Sequence, residues 1–240
     1  MIDLHCHFLP GIDDGAETIE QALELARVAV VDGITVAAMT PHVHVGRYEN
    51  TRTNIVKKTE AFQRVLEHKG ITLKVYPAGE VRLNYEVVDL VTAGEAPFLG
   101  ELDGYRIMLL EFPHSQIPVG ADKLVQWLFS QKIRPLIAHP ERNKEVMRSH
   151  AKVEPFINMG CMLQVTAGSL VGQFGAQAKA AAEYFLAQNW VSVLATDAHD
   201  AVHRPPNLSL AKDLLVAQGK SALATRLLET TPARILGIGQ

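Results

Sequence analysis

His5 and His7 stand two residues apart in the short apolar segment that opens the chain. In an extended strand this spacing places both imidazoles on one face, while Cys6 points to the other. Two imidazoles on one face supply two nitrogen ligands for a divalent cation. Two ligands are only half of a metal site. Single histidines are usually hydrogen-bonded core or surface residues, so this pair alone is a moderate signal.

The pattern recurs along the chain, since most later apolar segments also end next to His, Asp or Glu. Burying so many ionisable groups without compensation would cost several kcal/mol for each. Bound metal ions would supply that compensation. The candidate metal ligands are His5, His7, Asp14, His42, Glu80, Glu111, His139, Asp197 and His199.

Seven short apolar segments alternate with stretches of helical periodicity, which predicts parallel strands joined by right-handed crossovers. The predicted strands are 1–5, 34–40, 73–78, 106–110, 135–138, 162–166 and 191–196. A first helix should begin at a capping box formed by Thr18 and Gln21 and stop at Gly33. Further helices are predicted at 54–66, 121–129, 174–187 and 208–216.

The candidate ligands distinguish a closed barrel from an open sheet. No Gly-rich nucleotide-binding motif follows the first strand. In a barrel the carboxyl ends of all strands meet on one face, whereas an open sheet spreads them along an edge. We therefore predict an α/β fold, a single-domain TIM-like (β/α) barrel over residues 1–240 with seven strands instead of eight.

Composition narrows the class of protein. The 240 residues are 48% hydrophobic and 20% charged, and their formal net charge of −3 argues against nucleic-acid binding. Cys6 and Cys161 show no disulfide spacing, which is typical of a reducing compartment. Without a signal sequence or an apolar run long enough to span a bilayer, we expect a cytoplasmic protein with no membrane insertion.

Charge balance limits the number of ions. The four candidate carboxylates, Asp14, Glu80, Glu111 and Asp197, would neutralise two divalent ions. A third ion would leave excess positive charge suited to an anionic substrate, so the residues alone leave two or three open. Mixed imidazole and carboxylate ligands favour Mn, Fe or Zn over Ca or Mg.

Taken together, these motifs resemble the PHP (polymerase and histidinol phosphatase) superfamily, and within it the bacterial capsular-polysaccharide protein-tyrosine phosphatases. The resemblance runs from Met1 to about Pro206 and implies a distorted seven-stranded barrel, the PHP fold. The motifs that carry it are His5-Cys6-His7, Asp13-Asp14-Gly15, Thr40-Pro41-His42, Gly79-Glu80, Glu111-Phe112, His139-Pro140-Glu141-Arg142 and Thr196-Asp197-Ala198-His199.

The resemblance implies three metal ions, with Mn favoured and Fe or Zn as alternatives. It assigns the first to His5, His7, Glu80 and Asp197, the second to Glu80, Glu111 and His139, and the third to Asp14, His42 and His199. Where two adjacent histidines are expected, this sequence has His42-Val43-His44, which leaves the role of His44 open.

The implied reaction is hydrolysis of phosphotyrosine by a metal-bridging hydroxide, without a covalent enzyme intermediate. Arg142 and Arg204 are the candidate catalytic residues, as phosphate ligands; surface salt bridges are the alternative. The loop residues Arg47, Tyr48 and Arg82 have open roles, and Tyr48 could stack on an aromatic substrate. Neither cysteine has the arginine six positions later that a cysteine-based tyrosine phosphatase requires.

The resemblance further implies a phosphotyrosine-bearing protein partner, a bacterial tyrosine autokinase of exopolysaccharide synthesis. Two other enzymatic functions stay open: a phosphatase for a small monoester such as histidinol phosphate, and a nuclease, which the low pI of about 6.4 disfavours. An inactive module that binds phosphorylated proteins is the alternative from another class.

Overall fold

The computed structural model describes residues 1–239. Its strands are β1 Ile2–Cys6, β2 Val36–Met39, β3 His42–Val43, β4 Lys74–Pro77, β5 Glu80–Arg82, β6 Gly100–Leu102, β7 Tyr105–Glu111, β8 Ile133–Ala138, β9 Met162–Thr166 and β10 Val191–Ala195. Its α-helices are α1 Ile19–Val31, α2 Arg52–His68, α3 Glu86–Thr92, α4 Ala121–Ser130, α5 Lys144–Arg148, α6 Glu154–Asn158, α7 Ala167–Leu170, α8 Ala176–Ala187, α9 Ser209–Ala217, α10 Ser221–Thr225 and α11 Thr231–Leu236. Short 3-10 turns span Pro140–Arg142 and His150–Val153, and a π turn spans Arg226–Thr230.

The parallel strands form a barrel in which two strands are interrupted. They pair in the orders β1-β2-β4 and β10-β9-β8-β7-β5-β3. β2 leads into β3 across Thr40-Pro41, and β4 leads into β5 across Ala78-Gly79, so each pair is one broken strand. A parallel bridge between Cys6 and Ala198 joins the first strand to the last. Counted this way, the parallel strands of the described residues number seven, as predicted.

Side chains inside the barrel alternate with side chains that face the helices. Ile107 and Leu109 of β7, and Val193 and Ala195 of β10, belong to an inner cluster built mainly from strand residues. The intervening Met108 belongs to a larger outer cluster shared with the helices. The helices thus cover the outer surface of the barrel, as expected for this fold.

β1 contains an irregularity that changes which residues face inward. Its pairing with β2 shifts register between Asp3 and Cys6. Leu4 lies in the inner cluster, whereas Cys6 lies in the outer one. A bulge of this kind reverses the alternation of side chains, so Cys6 faces outward although Leu4 faces inward. His5 and His7 share a face, as predicted, and the bulge makes it the inward one.

The first predicted helix start is only partly correct. The Thr18 hydroxyl accepts a hydrogen bond from the Gln21 backbone N–H at 3.3 Å. The Gln21 side chain, however, accepts from the Glu17 N–H at 2.7 Å, so the reciprocal half of the capping box is absent. A complete capping box instead starts α2, where Thr51 and Asn54 bond each other's backbone.

Other element boundaries differ from the prediction by a few residues. The strand predicted at 34–40 begins at Val36, and the helix predicted at 174–187 begins at Ala176. The sequence prediction missed β6, which pairs antiparallel with β7 through a tight turn at Asp103-Gly104. Asp-Gly is a favoured hairpin turn sequence, so this signal was present in the chain. Across residues 1–239, no helix has both the length and the apolar character needed to cross a membrane.

Candidate metal centre

The nine candidate ligands lie together at the carboxyl end of the barrel. Glu111 is the last residue of β7 and continues the inward face that carries Ile107 and Leu109. Asp197 follows β10 and likewise continues the face of Val193 and Ala195. The strands therefore aim these carboxylates into the barrel mouth through the ordinary two-residue alternation of a β-strand.

Three overlapping groups of side chains have ligand atoms within 4.8 Å of one another: His5, His7, Glu80 and Asp197; His7, Asp14, His42 and His199; and His42, Glu80 and Glu111. The first group has the composition predicted for the first metal, and the second group adds His7 to the predicted third set. In the last group, His42 stands with Glu80 and Glu111 where the prediction had His139. His139 remains close, with Nε2 2.8 Å from Glu80 Oε1.

The orientation of the first two histidines fits a bound cation. The Nδ1 atoms of His5 and His7 lie 3.0 Å from Gln164 Oε1 and 2.7 Å from Asp13 Oδ2, respectively. Since these partners are acceptors, each Nδ1 carries the proton in the neutral ring, and each Nε2 presents a lone pair. The two Nε2 atoms lie only 3.1 Å apart. A cation in contact with both would remove the repulsion between these lone pairs.

Two buried carboxylate oxygens support the same assignment. Glu80 Oε2 and Asp197 Oδ1 are buried and accept no well-aligned hydrogen bond, and both face histidine ring nitrogens, with His42 Nδ1 2.9 Å from Glu80 Oε2. Asp197 Oδ1 lies 3.2 Å from the Nε2 atoms of both His5 and His7. An orphaned buried charge is costly unless it is paired or bound to a metal. The donor set therefore fits divalent ions on the atoms present.

Two carboxylates of the cluster, Glu80 and Asp197, remain ionised. Burial raises the pKa of Glu80, but the nearby His5, His42 and His139 outweigh burial and hold it well below its usual range. Burial also opposes ionisation of Asp197, yet Arg142, His5 and Arg204 lower its pKa well below the ordinary value. Both side chains thus present anionic oxygens at neutral pH.

The histidines differ in their readiness to bind a cation. Burial, reinforced by Arg142 for His139 and by His7 for His199, lowers the pKa of His139 to about 4 and that of His199 to about 3. Both are neutral at pH 7, as a ligand must be. For His7 the effect of Asp13 outweighs burial and raises the pKa to about 9. A cation would displace this proton, so metal binding should release protons.

The two candidate catalytic arginines converge on one carboxylate oxygen. Nη2 of Arg142 and Nη2 of Arg204 both contact Asp197 Oδ2. Their Nε–H groups are buried and have no hydrogen-bond partner. Because Asp197 is itself buried, neither contact is a surface salt bridge. Both side chains also line a cavity over the candidate ligands, which places their guanidinium groups where an anion could bind.

Sequence reasoning missed two residues that orient the histidines. Asp13 Oδ2 faces His7 and also accepts from the His42 backbone N–H at 3.1 Å. Gln164 Oε1 faces His5 and accepts from the His139 N–H at 3.2 Å. The inward position of Gln164, two residues after Met162 on β9, was the available signal. Such partners fix the ring orientation of metal-bound histidines.

Backbone geometry at the site is unusual. His139 and Asp197 adopt positive φ angles of 30° and 51°, a region that residues other than glycine seldom occupy. At Gly15 an added Cβ would lie 2.1 Å from the His7 carbonyl oxygen, so only glycine fits where this loop passes the first strand. Strain of this kind concentrates at functional sites.

A cavity of about 490 Å³ opens over the cluster. Its wall includes His44, Arg47, Tyr48 and Arg82, whose roles the sequence leaves open. Arg82 pairs with Glu111 at 2.9 Å, and the Tyr48 ring stacks on His42 with 5.5 Å between ring centroids. All four side chains therefore border the space that a substrate would occupy.

Comparison with known proteins identifies the family to which this chain belongs. The family described as "Capsular polysaccharide synthesis, CpsB/CapC" matches residues 1–237. The chain belongs to the CpsB/CapC family. Within it, the chain is 35% identical to the tyrosine-protein phosphatase YwqE of Bacillus subtilis (strain 168), over 204 residues that cover 85% of this chain and 79% of that protein.

Solved structures share the fold of this chain, and one of them supports the CpsB/CapC assignment. One from a study of YwqE from Bacillus subtilis and CpsB from Streptococcus pneumoniae, described as unique metal-dependent tyrosine phosphatases, superposes with a TM-score of 0.89 at 30% identity. It covers 99% of this chain and 94% of its own. The lactonase Lmo2620 from Listeria monocytogenes, at 10% identity, gives a TM-score of 0.56 over 100% of this chain and 95% of its own, which shows a shared barrel fold alone.

Proposed function

We propose that this protein is a metal-dependent protein-tyrosine phosphatase. The observation that carries the proposal is the contact of Arg142 and Arg204 with Asp197, at the edge of a buried cluster of histidines and carboxylates. This arrangement places phosphate-binding donors directly beside candidate metal ligands. The relatives of this chain in the CpsB/CapC family include YwqE, a tyrosine-protein phosphatase.

The proposed cofactor is a set of three divalent ions, with Mn favoured and Fe or Zn as alternatives. The proposed ligands are His5, His7, Asp14, His42, Glu80, Glu111, His139, Asp197 and His199. When bound, such ions supply Lewis acidity and lower the pKa of coordinated water. The fully buried Glu80 lies near His5, His42 and His139, so we assign it the role of bridging ligand.

The chain's own contribution to catalysis is to bind and orient the phosphoryl group. The side chains of Arg142 and Arg204 line the cavity, where their guanidinium groups would donate hydrogen bonds to phosphoryl oxygens. In the transition state they would stabilise the charge that develops on those oxygens. Asp197 holds both arginines in place through Oδ2, while its Oδ1 faces His5 and His7.

No cysteine takes part in the proposed reaction. Burial raises the pKa of the Cys6 thiol well above its usual value and that of Cys161 to about 12. Both cysteines lie in the outer hydrophobic cluster. A nucleophilic cysteine needs a thiolate, which these surroundings disfavour.

The proposed substrate is a phosphotyrosine-bearing protein, a tyrosine autokinase of exopolysaccharide synthesis. We propose further that residues 1–240 form one phosphatase domain. The family description names capsular polysaccharide synthesis, which supports the choice of pathway.

The decisive test combines elemental analysis with a phosphatase assay on one purified sample, before and after chelation and with Mn added back. We expect bound divalent metal, turnover of a phosphotyrosine peptide, loss of turnover on chelation and recovery with Mn. Full activity in metal-free protein would contradict the metal-dependent mechanism. Faster turnover of histidinol phosphate or single-stranded DNA would assign one of the alternative substrates instead.

Substitution of His139 tests whether the proposed metal site is catalytic or only structural. His139→Ala should abolish turnover while leaving the far-UV circular dichroism spectrum and the melting transition nearly unchanged. Unfolding of this variant without loss of phosphatase activity per folded molecule would indicate a structural site.

A further inference from the structure

Besides the histidines, the cavity over the candidate metal centre has three aromatic side chains in its wall, Tyr48, Phe112 and Phe174. Phe112 is only 3% exposed and packs against Phe156, so it offers no ring face to a ligand. A phosphotyrosine side chain must place its phenyl ring somewhere in this space when its phosphate reaches Arg142 and Arg204. Tyr48 and Phe174 are therefore the two candidates for contact with the substrate ring.

The surroundings of Tyr48 leave little of its ring for a ligand. His42 stacks on this ring at 5.5 Å between centroids with an angle of 12° between planes. The guanidinium carbon of Arg47 lies 4.9 Å from the same centroid. The His44 and Tyr48 backbones are also bridged, which holds the loop closed on itself. Tyr48 thus packs as part of the support of His42.

Phe174 is placed differently, next to the group that would bind phosphate. The guanidinium carbon of Arg142 lies 4.7 Å from the Phe174 ring centroid. Phe174 itself is half-buried in the turn that precedes α8. A phosphate held by Arg142 would carry its ester oxygen, and the ring attached to it, toward this part of the wall.

The wall around Phe174 is apolar. Met147 of α5 and Ala178 of α8 line the cavity with it, and α5 packs against α8. Methionine and phenylalanine both make favourable contacts with aromatic rings. The Phe174 ring lies against Gly168, where an added Cβ would come within 3.0 Å of Phe174 Cε2.

We propose that Phe174, with Met147 and Ala178, forms a subsite for the aromatic ring of an aryl phosphate, and that Tyr48 does not. This proposal rests on the proposed phosphatase function, because Arg142 must hold the phosphate for the ring to reach Phe174. The subsite selects aryl over alkyl phosphates through contact with the ring, independently of how strongly the phosphate binds.

The test uses two inhibitors that share one anionic group, phenylphosphonate and methylphosphonate. Because neither is hydrolysed, their inhibition constants compare ring binding without differences in leaving group. The measurement is the ratio of the two constants for the Mn-loaded wild type and for the variants Phe174→Ala, Phe174→Leu and Tyr48→Ala. Tyr85→Ala serves as a matched control, since Tyr85 is 76% exposed and lies outside the cavity wall.

We expect Phe174→Ala to reduce the preference for phenylphosphonate roughly three- to tenfold, the range of one aromatic contact. Phe174→Leu should show a smaller loss of this preference, because leucine keeps an apolar wall. It also serves as a second variant in case Phe174→Ala loosens the turn. Tyr48→Ala should weaken both inhibitors in parallel and leave the ratio unchanged, and Tyr85→Ala should change neither constant.

An unchanged ratio in both Phe174 variants, or a reduced ratio only in Tyr48→Ala, would overturn the proposal. Failure of the phosphatase proposal looks different: wild-type protein would not hydrolyse the phosphotyrosine peptide, whatever the ratio of the phosphonate constants.

Discussion

The inside of the barrel has two halves built on the same strands. Before the strands reach their carboxyl ends, inward positions carry Leu109, Leu136 and Val193, which pack into an apolar inner cluster. At the carboxyl ends, the same inward faces carry ionisable and polar groups such as Glu111 and Asp197. One strand thus serves both halves, since Leu109 and Glu111 stand only two positions apart on β7.

The apolar half of the barrel contributes mainly to stability, and the polar half carries the groups proposed to function. In the apolar half, buried side chains are satisfied by packing alone. In the polar half, Glu80 Oε2 and Asp197 Oδ1 accept no well-aligned hydrogen bond, and His139 and Asp197 take up positive φ angles. The apolar half supplies the stability that allows the polar half to hold groups unfavourable for folding.

The largest effect should follow a change in the polar half. Asp197→Asn removes the charge that faces His5 and His7 on one side and both arginines on the other. We expect kcat/KM to fall roughly a thousandfold, together with weaker metal binding by isothermal titration calorimetry.

The matched control for this change is Asp103→Asn. Asp103 also has a positive φ, 54°, but its side chain is exposed on a hairpin turn and pairs with Arg234. Its activity should match wild type. Near-normal activity of Asp197→Asn would contradict the assignment of catalysis to the polar half of the barrel.

In the apolar half, Leu136→Ala should act on stability instead. Leu136 is fully buried in the inner cluster, and its truncation should cost about 2–5 kcal/mol in the free energy of unfolding. Urea titration measures this loss, and activity per folded molecule at low temperature should persist. Leu210→Ala, at a site 55% exposed on α9, should leave the urea midpoint almost unchanged.

A smaller effect is expected at the boundary between the halves, where Gln164 supports His5 and His139. Gln164→Leu should weaken metal binding roughly 10- to 100-fold, because His5 loses the partner that fixes its orientation. Competition with a chelating dye measures the affinity. Gln177→Leu, on the exposed side of α8, is the control. Equal affinities in both variants would contradict a positioning role for Gln164.

The smallest effect concerns the cysteines. Burial raises the pKa of Cys161 to about 12, so its thiol stays protonated through neutral and mildly alkaline pH. Cys161→Ser should retain wild-type kcat, and iodoacetamide at pH 7.5 should not inactivate the native protein. Labelling after denaturation confirms that the reagent is competent. Rapid inactivation of native protein would argue for a reactive cysteine.

The sequence predicts the barrel well because its strands are almost wholly apolar and all but β9 end next to an ionisable residue. It does not predict the breaks at Thr40-Pro41 and Ala78-Gly79, since an interrupted strand gives the same apolar pattern as a continuous one. Nor does local pattern show that β1 shifts register near His5, which depends on pairing with β2.

The same distinction holds for the site. Charged and imidazole side chains after apolar segments pointed to all nine candidate ligands, and the structure brings them together. Asp13 and Gln164 were missed because their roles depend on which atom each side chain faces. Likewise, Phe174 was placed within a predicted helix, so its position beside Arg142 followed only from the real helix start at Ala176.

The seam that closes the barrel has a consequence for how the chain folds. β1 and β10 meet next to the candidate ligands: the Asp197 N–H donates to the His5 carbonyl at 2.7 Å, and the His7 N–H donates to the Ala198 carbonyl at 2.9 Å. These partners lie nearly the whole chain apart, and such distant contacts form slowly because closing a long loop loses entropy. A cation bound across this seam would stabilise the contact between the first strand and the last after the intervening strands have assembled.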